Sequence, residues 1–178
     1  MEKKGTVYFF TGLAGAGKTT IGGLFYERLR ARSPEAVLLD GDQIRGSIGD
    51  SCITTGAVLK EGRYTTEARR NGAYGLFRRC RDLADQGKDV VCCSISMYSQ
   101  VRRWNRENIE NYREIYVKVT RETLYRRDQK KLYSSGAKNV VGVDLPYDEP
   151  ETPDVVIQND GQETPEEAVN RLEALLLG

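Results

Sequence analysis

Near its start the chain reads Gly12-Leu13-Ala14-Gly15-Ala16-Gly17-Lys18-Thr19, which matches the pattern G-x-x-x-x-G-K-[ST] of a phosphate-binding loop. An apolar run at residues 7–10 precedes the loop, and the apolar residues after it repeat at helical spacing, as the motif requires. Glycines let the backbone curl so that several N–H groups converge on phosphate oxygens, and the positive end of the following helix strengthens the attraction.

Two side chains of this motif carry its chemistry. Lys18 is expected to reach the β- and γ-phosphates, and the Thr19 hydroxyl can ligate Mg²⁺. A glycine-rich turn without function is the alternative. Because the motif is complete and its flanks fit, we predict that the chain binds a nucleoside triphosphate.

Length and composition exclude several classes of protein. The 178 residues suffice for one domain with a sound core, so residues 1–178 are expected to form a single domain. A net charge of +1 and the absence of histidine indicate neither a nucleic-acid partner nor a His-based metal or acid–base site. The apolar runs are too short to span a membrane, and we find no cleavable signal.

The chain has four cysteines, Cys52, Cys80, Cys92 and Cys93, and they lack the paired C-x-x-C spacing of a zinc site. Cys92 and Cys93 are neighbours in an apolar run and are expected to point to opposite faces of a strand. We interpret all four as reduced thiols of a cytoplasmic protein.

Apolar runs alternate with helical patterns along the chain. Strands are predicted at residues 7–10, 36–39, 90–95, 115–119 and 155–157. Helices are predicted from residue 18, over residues 64–86, 99–110 and 121–128, and from residue 165. Thr164-Pro165-Glu166-Glu167 forms a capping box at the start of the last helix. The alternation predicts an α/β fold with a five-stranded parallel sheet and helices on both faces, and residues 46–63 are expected to be a surface loop.

Carboxylates follow the second predicted strand, in the segment Leu39-Asp40-Gly41-Asp42-Gln43-Ile44-Arg45. Ligands of a parallel sheet bind outside the carboxyl ends of its strands, so Asp40, Asp42 and Arg45 are expected to face the γ-phosphate. A carboxylate there can hold the water shell of Mg²⁺ or accept a proton from an attacking hydroxyl, and Arg45 can hold an anionic acceptor. An aspartate–glycine turn after a buried strand is common, but beside a phosphate-binding loop we favour the functional interpretation.

The end of the fourth predicted helix and the residues after it form a basic segment, which reads Arg126-Arg127-Asp128-Gln129-Lys130-Lys131-Leu132-Tyr133. Phosphoryl transfer places negative charge between donor and acceptor, and a basic lid would stabilise this charge and exclude water. We predict such a lid at about residues 129–150. The alternative is a solvated basic helix end, and the run Leu145-Pro146-Tyr147-Asp148-Glu149-Pro150 is by its chemistry only a rigid proline turn.

Taken together and in this order, these segments resemble the adenylylsulfate (APS) kinase family. The combination of Leu-Asp-Gly-Asp-x-x-Arg with the Leu-Tyr and Pro-Tyr segments is much more specific than the phosphate-binding loop alone. The resemblance implies a P-loop kinase fold, Mg²⁺-ATP as phosphate donor, the ribose 3′-hydroxyl of adenosine 5′-phosphosulfate as acceptor, and a homodimer. It spans nearly the whole chain, and the residues that carry it are 12–20, 39–45, Ser94, Ile95, Ser96, Arg127, Asp128, Lys130, Leu132, Tyr133, Pro146, Tyr147 and Pro150.

The resemblance also implies roles for individual residues. ATP is expected to contact Gly12, Ala14, Gly15, Ala16, Gly17, Lys18, Thr19 and Thr20, with Arg127 covering its base. Lys18, Asp40 and Asp42 are the expected catalytic residues, with Thr19 and Asp42 at the metal and Asp42 near the attacking hydroxyl. The acceptor is expected to contact Asp42, Arg45, Tyr64, Arg69, Ser94, Ile95, Ser96 and Lys130.

The acceptor half departs from the pattern of the family, which reads Phe-Ser-x-x-Asp-Arg-x-Glu-Asn-Ile-Arg in one helix. Here Tyr64 and Arg69 match, but Gly72 replaces the asparagine and Tyr74 replaces the second arginine. In the lid, the Phe-Thr-Gly of the family becomes Val140-Val141-Gly142. The lost phenylalanine would stack on adenine, a contact of roughly 1–3 kcal/mol.

These departures leave the acceptor open between two nucleotides. The first is adenosine 5′-phosphosulfate, with Lys138 or Tyr74 replacing the lost contacts. The second is another small nucleotide-like molecule. A divergent branch resembling the family phosphorylates the ribose of cytidine diphosphoramidate in making capsule phosphoramidate groups. Its smaller base and uncharged end would relieve the need for the second aromatic and the second arginine.

A non-catalytic nucleotide-binding regulator is the alternative from another class. A switch GTPase would need Asn-Lys-x-Asp and Asp-x-x-Gly segments, and the sequence has neither in the expected places. The intact Lys18, Thr19, Asp40 and Asp42 argue against an inactive member of the family.

Overall fold

The computed structural model describes residues 3–41, 66–128, 131, 133–136, 140–143 and 145–178. In these residues the strands are β1 (Val7–Thr11), β2 (Val37–Asp40), β3 (Val90–Cys93), β4 (Tyr112–Lys118) and β5 (Val155–Gln158). The helices are α1 (Lys18–Arg32), α2 (Thr66–Asp85), α3 (Ser99–Asn108), α4 (Arg121–Arg127) and α5 (Pro165–Leu176). The strands are parallel in the order β2-β3-β1-β4-β5, which confirms the predicted five-stranded sheet.

Helices cover both faces of the sheet, and the central strand β1 is therefore buried at every position. Tyr8 and Phe10 point to one core, which α1 and α5 complete with Ile21, Phe25, Leu29, Ala168, Val169 and Leu172. Val7 and Phe9 point to the other core, which α2 and α3 complete with Ala73, Phe77, Cys80, Ala84 and Val101. No helix in the described part of the chain is both long enough and apolar enough to cross a bilayer.

Two strand boundaries differ from the sequence prediction. β3 ends at Cys93 rather than at residue 95, because the chain turns out of the sheet and Ser96 adopts a left-handed φ of 34°. β4 begins at Tyr112, earlier than the predicted start at residue 115. The polar pair Arg113 and Glu114 concealed this start, although Glu114 is buried.

The last helix, α5, lies along α1. It begins with the predicted capping box, in which Thr164 and Glu167 exchange hydrogen bonds between side chain and backbone. Arg28 pairs with Glu166 and with Glu173, in each case at 3.1 Å. Such exposed ion pairs contribute little, so the burial of Val169 and Leu172 against α1 dominates the contact.

The described cysteines lie inside the two cores. Cys92 and Cys93 belong to opposite faces of the sheet, as predicted, and Cys80 is buried beside Cys92. Burial raises the pKa of Cys93 to about 12. A hydrogen bond with Cys80, together with burial, raises the pKa of Cys92. The thiols of Cys92 and Cys93 are therefore protonated at neutral pH. Cys52 lies outside the described residues.

We expect a thiol reagent to modify Cys80, Cys92 and Cys93 in the native protein no faster than the protein unfolds. Burial blocks access of the reagent to all three side chains. At Cys92 and Cys93 the raised pKa also suppresses the thiolate, which is the reactive form. Mass spectrometry after treatment with iodoacetamide at pH 7 measures modification at each cysteine, and a urea-unfolded sample is the positive control. Rapid native labelling of Cys92 or Cys93 would contradict the expectation.

Candidate active site

The phosphate-binding loop joins β1 to α1, and its shape requires glycine. Gly15 and Gly17 have φ angles of 81° and 103°, in the left-handed region that side chains disfavour. A Cβ at Gly12 would lie 2.3 Å from the Val117 carbonyl oxygen, and a Cβ at Gly17 would lie 2.4 Å from Asn159 Nδ2. Because Val117 and Asn159 of the same chain approach so closely, a side chain at Gly12 or Gly17 would clash.

The amino end of α1 carries the positive charge expected of a phosphate site. Gly17 caps the helix without a side-chain hydrogen bond, and the first turn contains no acidic residue. The N–H groups of a first helical turn have no partner inside the helix and attract anions. Lys18 Nζ donates a hydrogen bond to the Leu13 carbonyl oxygen at 2.8 Å, so the ammonium group lies across the same loop. The loop thus combines N–H donors with a cation.

Thr19 and Asp40 meet where β2 ends. Thr19 Oγ1 donates a hydrogen bond to Asp40 Oδ2 at 2.8 Å, and Asp40 is buried. A hydroxyl beside a carboxylate is the type of oxygen donor that Mg²⁺ prefers, so these residues fit the metal. Among the described residues no group of three or more His, Cys, Asp or Glu side chains could hold a metal. Substrate phosphates and water can supply further ligands, and Asp42, the carboxylate predicted at the metal, lies outside the described residues.

The end of β2 also touches the segment that follows β3. A Cβ at Gly41 would lie 2.9 Å from Ser94 Oγ, so glycine permits this close approach. The hydroxyls of Ser94 and Ser96 form a hydrogen bond of 2.8 Å, and both residues are buried. Thr11 Oγ1 donates to the Ile95 carbonyl oxygen at 2.6 Å and fixes the turn. The left-handed φ of Ser96 marks this turn as a place where strained backbone serves a site.

A cleft of about 30 Å³ opens beside the two serines. Its lining residues are Arg69, Ser94, Ile95, Ser96, Tyr98 and Val141. The structure therefore brings together four predicted acceptor residues, Arg69 and Ser94 to Ser96, with two that sequence reasoning did not assign to the site. A cavity of this size holds one water-sized group, so the described walls can seat one polar group of an acceptor.

The described parts of the predicted lid contact the phosphate-binding loop. Tyr133 Oη donates a hydrogen bond to the Ala14 carbonyl oxygen at 2.6 Å. A Cβ at Gly142, whose φ is 87°, would lie 3.0 Å from the Leu13 side chain. Burial raises the pKa of Tyr133 to about 12, so its hydroxyl remains a donor at neutral pH. The cover predicted over residues 129–150 thus has two points of attachment to the loop.

Asn159, which the sequence did not reveal, joins three parts of the ATP side. Its Nδ2 donates to the Ala16 carbonyl oxygen at 2.7 Å, and its backbone N–H donates to the Lys118 carbonyl oxygen at 2.8 Å. Its own carbonyl oxygen accepts a hydrogen bond from Arg127 Nη2 at 2.6 Å. Through Asn159, Arg127 is therefore connected to the phosphate-binding loop, and its predicted place over the base of ATP stays a prediction. A polar residue directly after the last strand was the available signal.

Tyr74 has a different place from the one considered above. Its ring lies edge-on to Trp104 of α3, with 6.1 Å between ring centroids, at the margin of the second core. We therefore assign Tyr74 a packing role instead of an acceptor contact. Val140 is buried, and its neighbour Val141 lines the cleft. The aliphatic side chain that lines the cleft is thus Val141, one residue after Val140, the position where the family has phenylalanine.

The remaining predicted residues cannot be placed in this geometry. Asp42, Arg45, Tyr64, Lys130 and Lys138 lie outside the described residues, as does the predicted loop at residues 46–63. Their roles stay predictions.

A comparison with known families identifies the family of this chain. The sequence model described as adenylylsulphate kinase matches residues 4–158. The chain belongs to this family. As a member of the adenylylsulphate kinase family it is an ATP-dependent phosphotransferase, and the alternative of a non-catalytic regulator is set aside.

Relatives of this family member differ in the acceptor that their names state. A cytidine diphosphoramidate kinase of Campylobacter jejuni is 36% identical over 173 residues, which cover 95% of each chain. An adenylyl-sulfate kinase of Picosynechococcus is 34% identical over 176 residues, which cover 97% of this chain and 93% of the relative. The APS kinase of Mycobacterium tuberculosis, solved with AMPPNP and APS, has a TM-score of 0.80 at 24% identity. That alignment covers 98% of this chain and 99% of the other and supports the fold.

Proposed function

We propose that this kinase transfers the γ-phosphate of ATP to the ribose 3′-hydroxyl of a nucleotide-like acceptor, and that the acceptor is a cytidine diphosphate derivative such as cytidine diphosphoramidate. The observation that carries the proposal is the wall of the cleft. Its described part offers one cationic side chain, Arg69, and an aliphatic side chain, Val141. The similarity to the Campylobacter enzyme supports the same acceptor.

On the donor side, the chain binds and orients the triphosphate. The N–H groups of the loop and the amino end of α1 hold phosphate oxygens, and Lys18 neutralises charge that grows on the transferring group. Thr19 and Asp40 would hold Mg²⁺ together with Asp42, the carboxylate that the resemblance places at the metal, and the ion would supply electrostatic stabilisation when bound.

On the acceptor side, the chain orients a hydroxyl and takes its proton. Arg69 and the serine hydroxyls beside the cleft can hold polar groups of the acceptor. A carboxylate near the end of β2, which we assign to Asp42, accepts the hydroxyl proton as the new O–P bond forms. The bond from the γ-phosphorus to the bridging oxygen breaks, and ADP leaves with that oxygen.

The predicted lid would exclude water so that the acceptor hydroxyl, rather than water, receives the phosphate. The contacts of Tyr133 and Gly142 with the phosphate-binding loop support this role. A homodimer and a place in capsule synthesis are further parts of the proposal that rest on the resemblance alone. A cytoplasmic location is also proposed, and it rests on the interpretation of the cysteines as reduced thiols.

The acceptor is tested by comparing kcat/KM for cytidine diphosphoramidate and for adenosine 5′-phosphosulfate at fixed Mg²⁺-ATP. We expect kcat/KM for the cytidine derivative to be larger by about tenfold or more. The reason is that this chain lacks the stacking phenylalanine and the second arginine that the family uses for adenosine 5′-phosphosulfate, so transition-state binding of that acceptor is weakened. ADP release measures turnover, and ATP without acceptor is the control. If adenosine 5′-phosphosulfate wins with a micromolar KM, the protein is an adenylylsulfate kinase and the proposed acceptor is wrong.

A further inference from the structure

Arg102 of α3 is a charged residue buried outside the site described above. It is 6% exposed, yet its guanidinium makes two short, directed contacts. Nη1 donates to the Asp148 carbonyl oxygen at 2.8 Å, and Nη2 donates to the Glu149 carbonyl oxygen at 2.9 Å. A planar guanidinium can hold two adjacent carbonyls at once, which an ammonium group cannot reproduce.

The same stretch, residues 145–150, is attached to the chain that lines the cleft. The Asp148 N–H donates to the Met97 carbonyl oxygen at 2.8 Å, and Met97 directly follows Ser96. The Asp148 carboxylate accepts a hydrogen bond from the Ser99 N–H at 2.9 Å at the start of α3. Arg102 therefore completes a set of bonds that fixes residues 145–150 against the turn after β3.

At its other end, the 145–150 segment positions Val141. The Leu145 N–H donates to the Val140 carbonyl oxygen at 3.1 Å, and the Gly142 N–H donates to the Leu145 carbonyl oxygen at 3.0 Å. A β-bridge joins Val141 to Leu145, and Val141 lines the same cleft as Arg69. A shift at Asp148 would reach the wall of the cleft through three residues of chain, Leu145, Pro146 and Tyr147.

A purely structural ion pair is the competing explanation, because Glu114 is buried under α3. Arg102 Nε lies 3.8 Å from Glu114 Oε1, and Arg106 Nη2 lies 3.9 Å from Glu114 Oε2. Both distances exceed that of a hydrogen bond, whereas Tyr112 Oη donates to Glu114 at 3.0 Å. The directed bonds of Arg102 thus go to the 145–150 segment rather than to the carboxylate.

We propose that Arg102 is a positioning residue for the acceptor: by holding the carbonyl oxygens of Asp148 and Glu149, it sets the place of Val141 at the cleft. The hydrogen bonds of Arg102 go to residues outside the phosphate-binding loop, and the segment approaches that loop through Gly142, so we expect the acceptor side to respond more strongly than the donor side. The inference rests on the proposed function only in assigning the cleft to the acceptor, whichever nucleotide that acceptor is.

The test replaces Arg102 with lysine. This change keeps a positive charge near Glu114 but removes the paired hydrogen bonds to the carbonyl oxygens of Asp148 and Glu149. Arg106→Lys is the matched control on the same helix, since Arg106 also faces Glu114 but donates to the Thr152 carbonyl oxygen at 2.8 Å, beyond the segment. We expect Arg102→Lys to raise the acceptor KM about tenfold, because small misplacements of a substrate-positioning wall are costly. The KM for ATP and the melting temperature of the control should stay close to wild type.

The assay uses whichever of the two nucleotides the wild-type enzyme phosphorylates faster, so an error in the proposed acceptor does not affect the outcome. An acceptor KM that stays unchanged, or that rises in parallel with the KM for ATP, would overturn the proposal in favour of a structural ion pair. If Arg102→Lys does not fold, Asp148→Ala removes the bond from Ser99 and tests the same segment. An unchanged acceptor KM in that variant would overturn the proposal equally.

Discussion

Replacing Lys18 with alanine should lower kcat by about a thousandfold or more while leaving the fold intact. The ammonium group lies across the phosphate-binding loop, where charge grows on the transferring phosphate, and no other described cation lies within the loop. Because Lys18 is at a helix start and half-buried, its truncation removes little packing.

The measurement is steady-state turnover by ADP release, together with the melting temperature of each protein. Lys3→Ala, at an exposed position away from the loop, is the matched loss of one lysine. A folded Lys18→Ala protein with turnover within tenfold of wild type would disprove this loop as the catalytic ATP site.

The second large effect is expected at the carboxylates near the end of β2. Asp42→Asn should lower kcat on the order of a hundredfold or more with a modest change in ATP affinity, because an amide cannot accept the proton of the attacking hydroxyl. Asp40→Asn should instead raise the Mg²⁺ concentration needed for half-maximal rate, since Asp40 is the carboxylate that contacts Thr19.

Titrations of Mg²⁺ and of ATP for both variants separate the two roles. If Asp42→Asn raised the KM for ATP and left kcat unchanged, Asp42 would be a binding residue and not the base. If the Mg²⁺ requirement of Asp40→Asn stayed at the wild-type value, the pairing with Thr19 would have no part in holding the metal.

The sheet could be predicted from sequence because parallel strands buried on both faces read as continuous apolar runs. The run at residues 7–10 lies within β1, which is buried at every position. The run at 155–157 lies within β5, an edge strand in which Ile157 is buried and Val156 is exposed. β4 was predicted to start too late because its first residues are polar: Arg113 points outward, and Glu114 is buried with hydrogen-bonding partners. Such burial depends on α3 and on the chain near Asp154, which no local pattern reports.

The donor side could be predicted because its residues are close together in sequence. Lys18 and Thr19 belong to one motif, and Asp40 follows the next predicted strand along the chain. Asn159 could not be identified in the same way, since its contact with Ala16 joins residues 143 positions apart. Its position directly after the last strand was the one available signal, and that position alone does not specify a contact with Ala16.

The acceptor side was predicted through resemblance rather than through chemistry. Arg69, Ser94, Ile95 and Ser96 do line one cleft, but Tyr98 and Val141 complete it without a sequence signal. Arg102 was hidden among the basic residues of an apparently solvated helix, although its guanidinium is buried. Only the packing of α3 against residues 145–150 distinguishes it from its neighbours.

The packing of α5 along α1 bears on where this catalytic unit ends. The family match stops at residue 158, whereas α5 spans Pro165–Leu176 and covers the core beneath the helix whose first turn binds phosphate. A protein truncated after residue 158 would expose Phe25 and Leu29 to water and remove the packing that holds α1 in place. Expression vectors and domain grafts built from this enzyme should therefore carry the C-terminal helix.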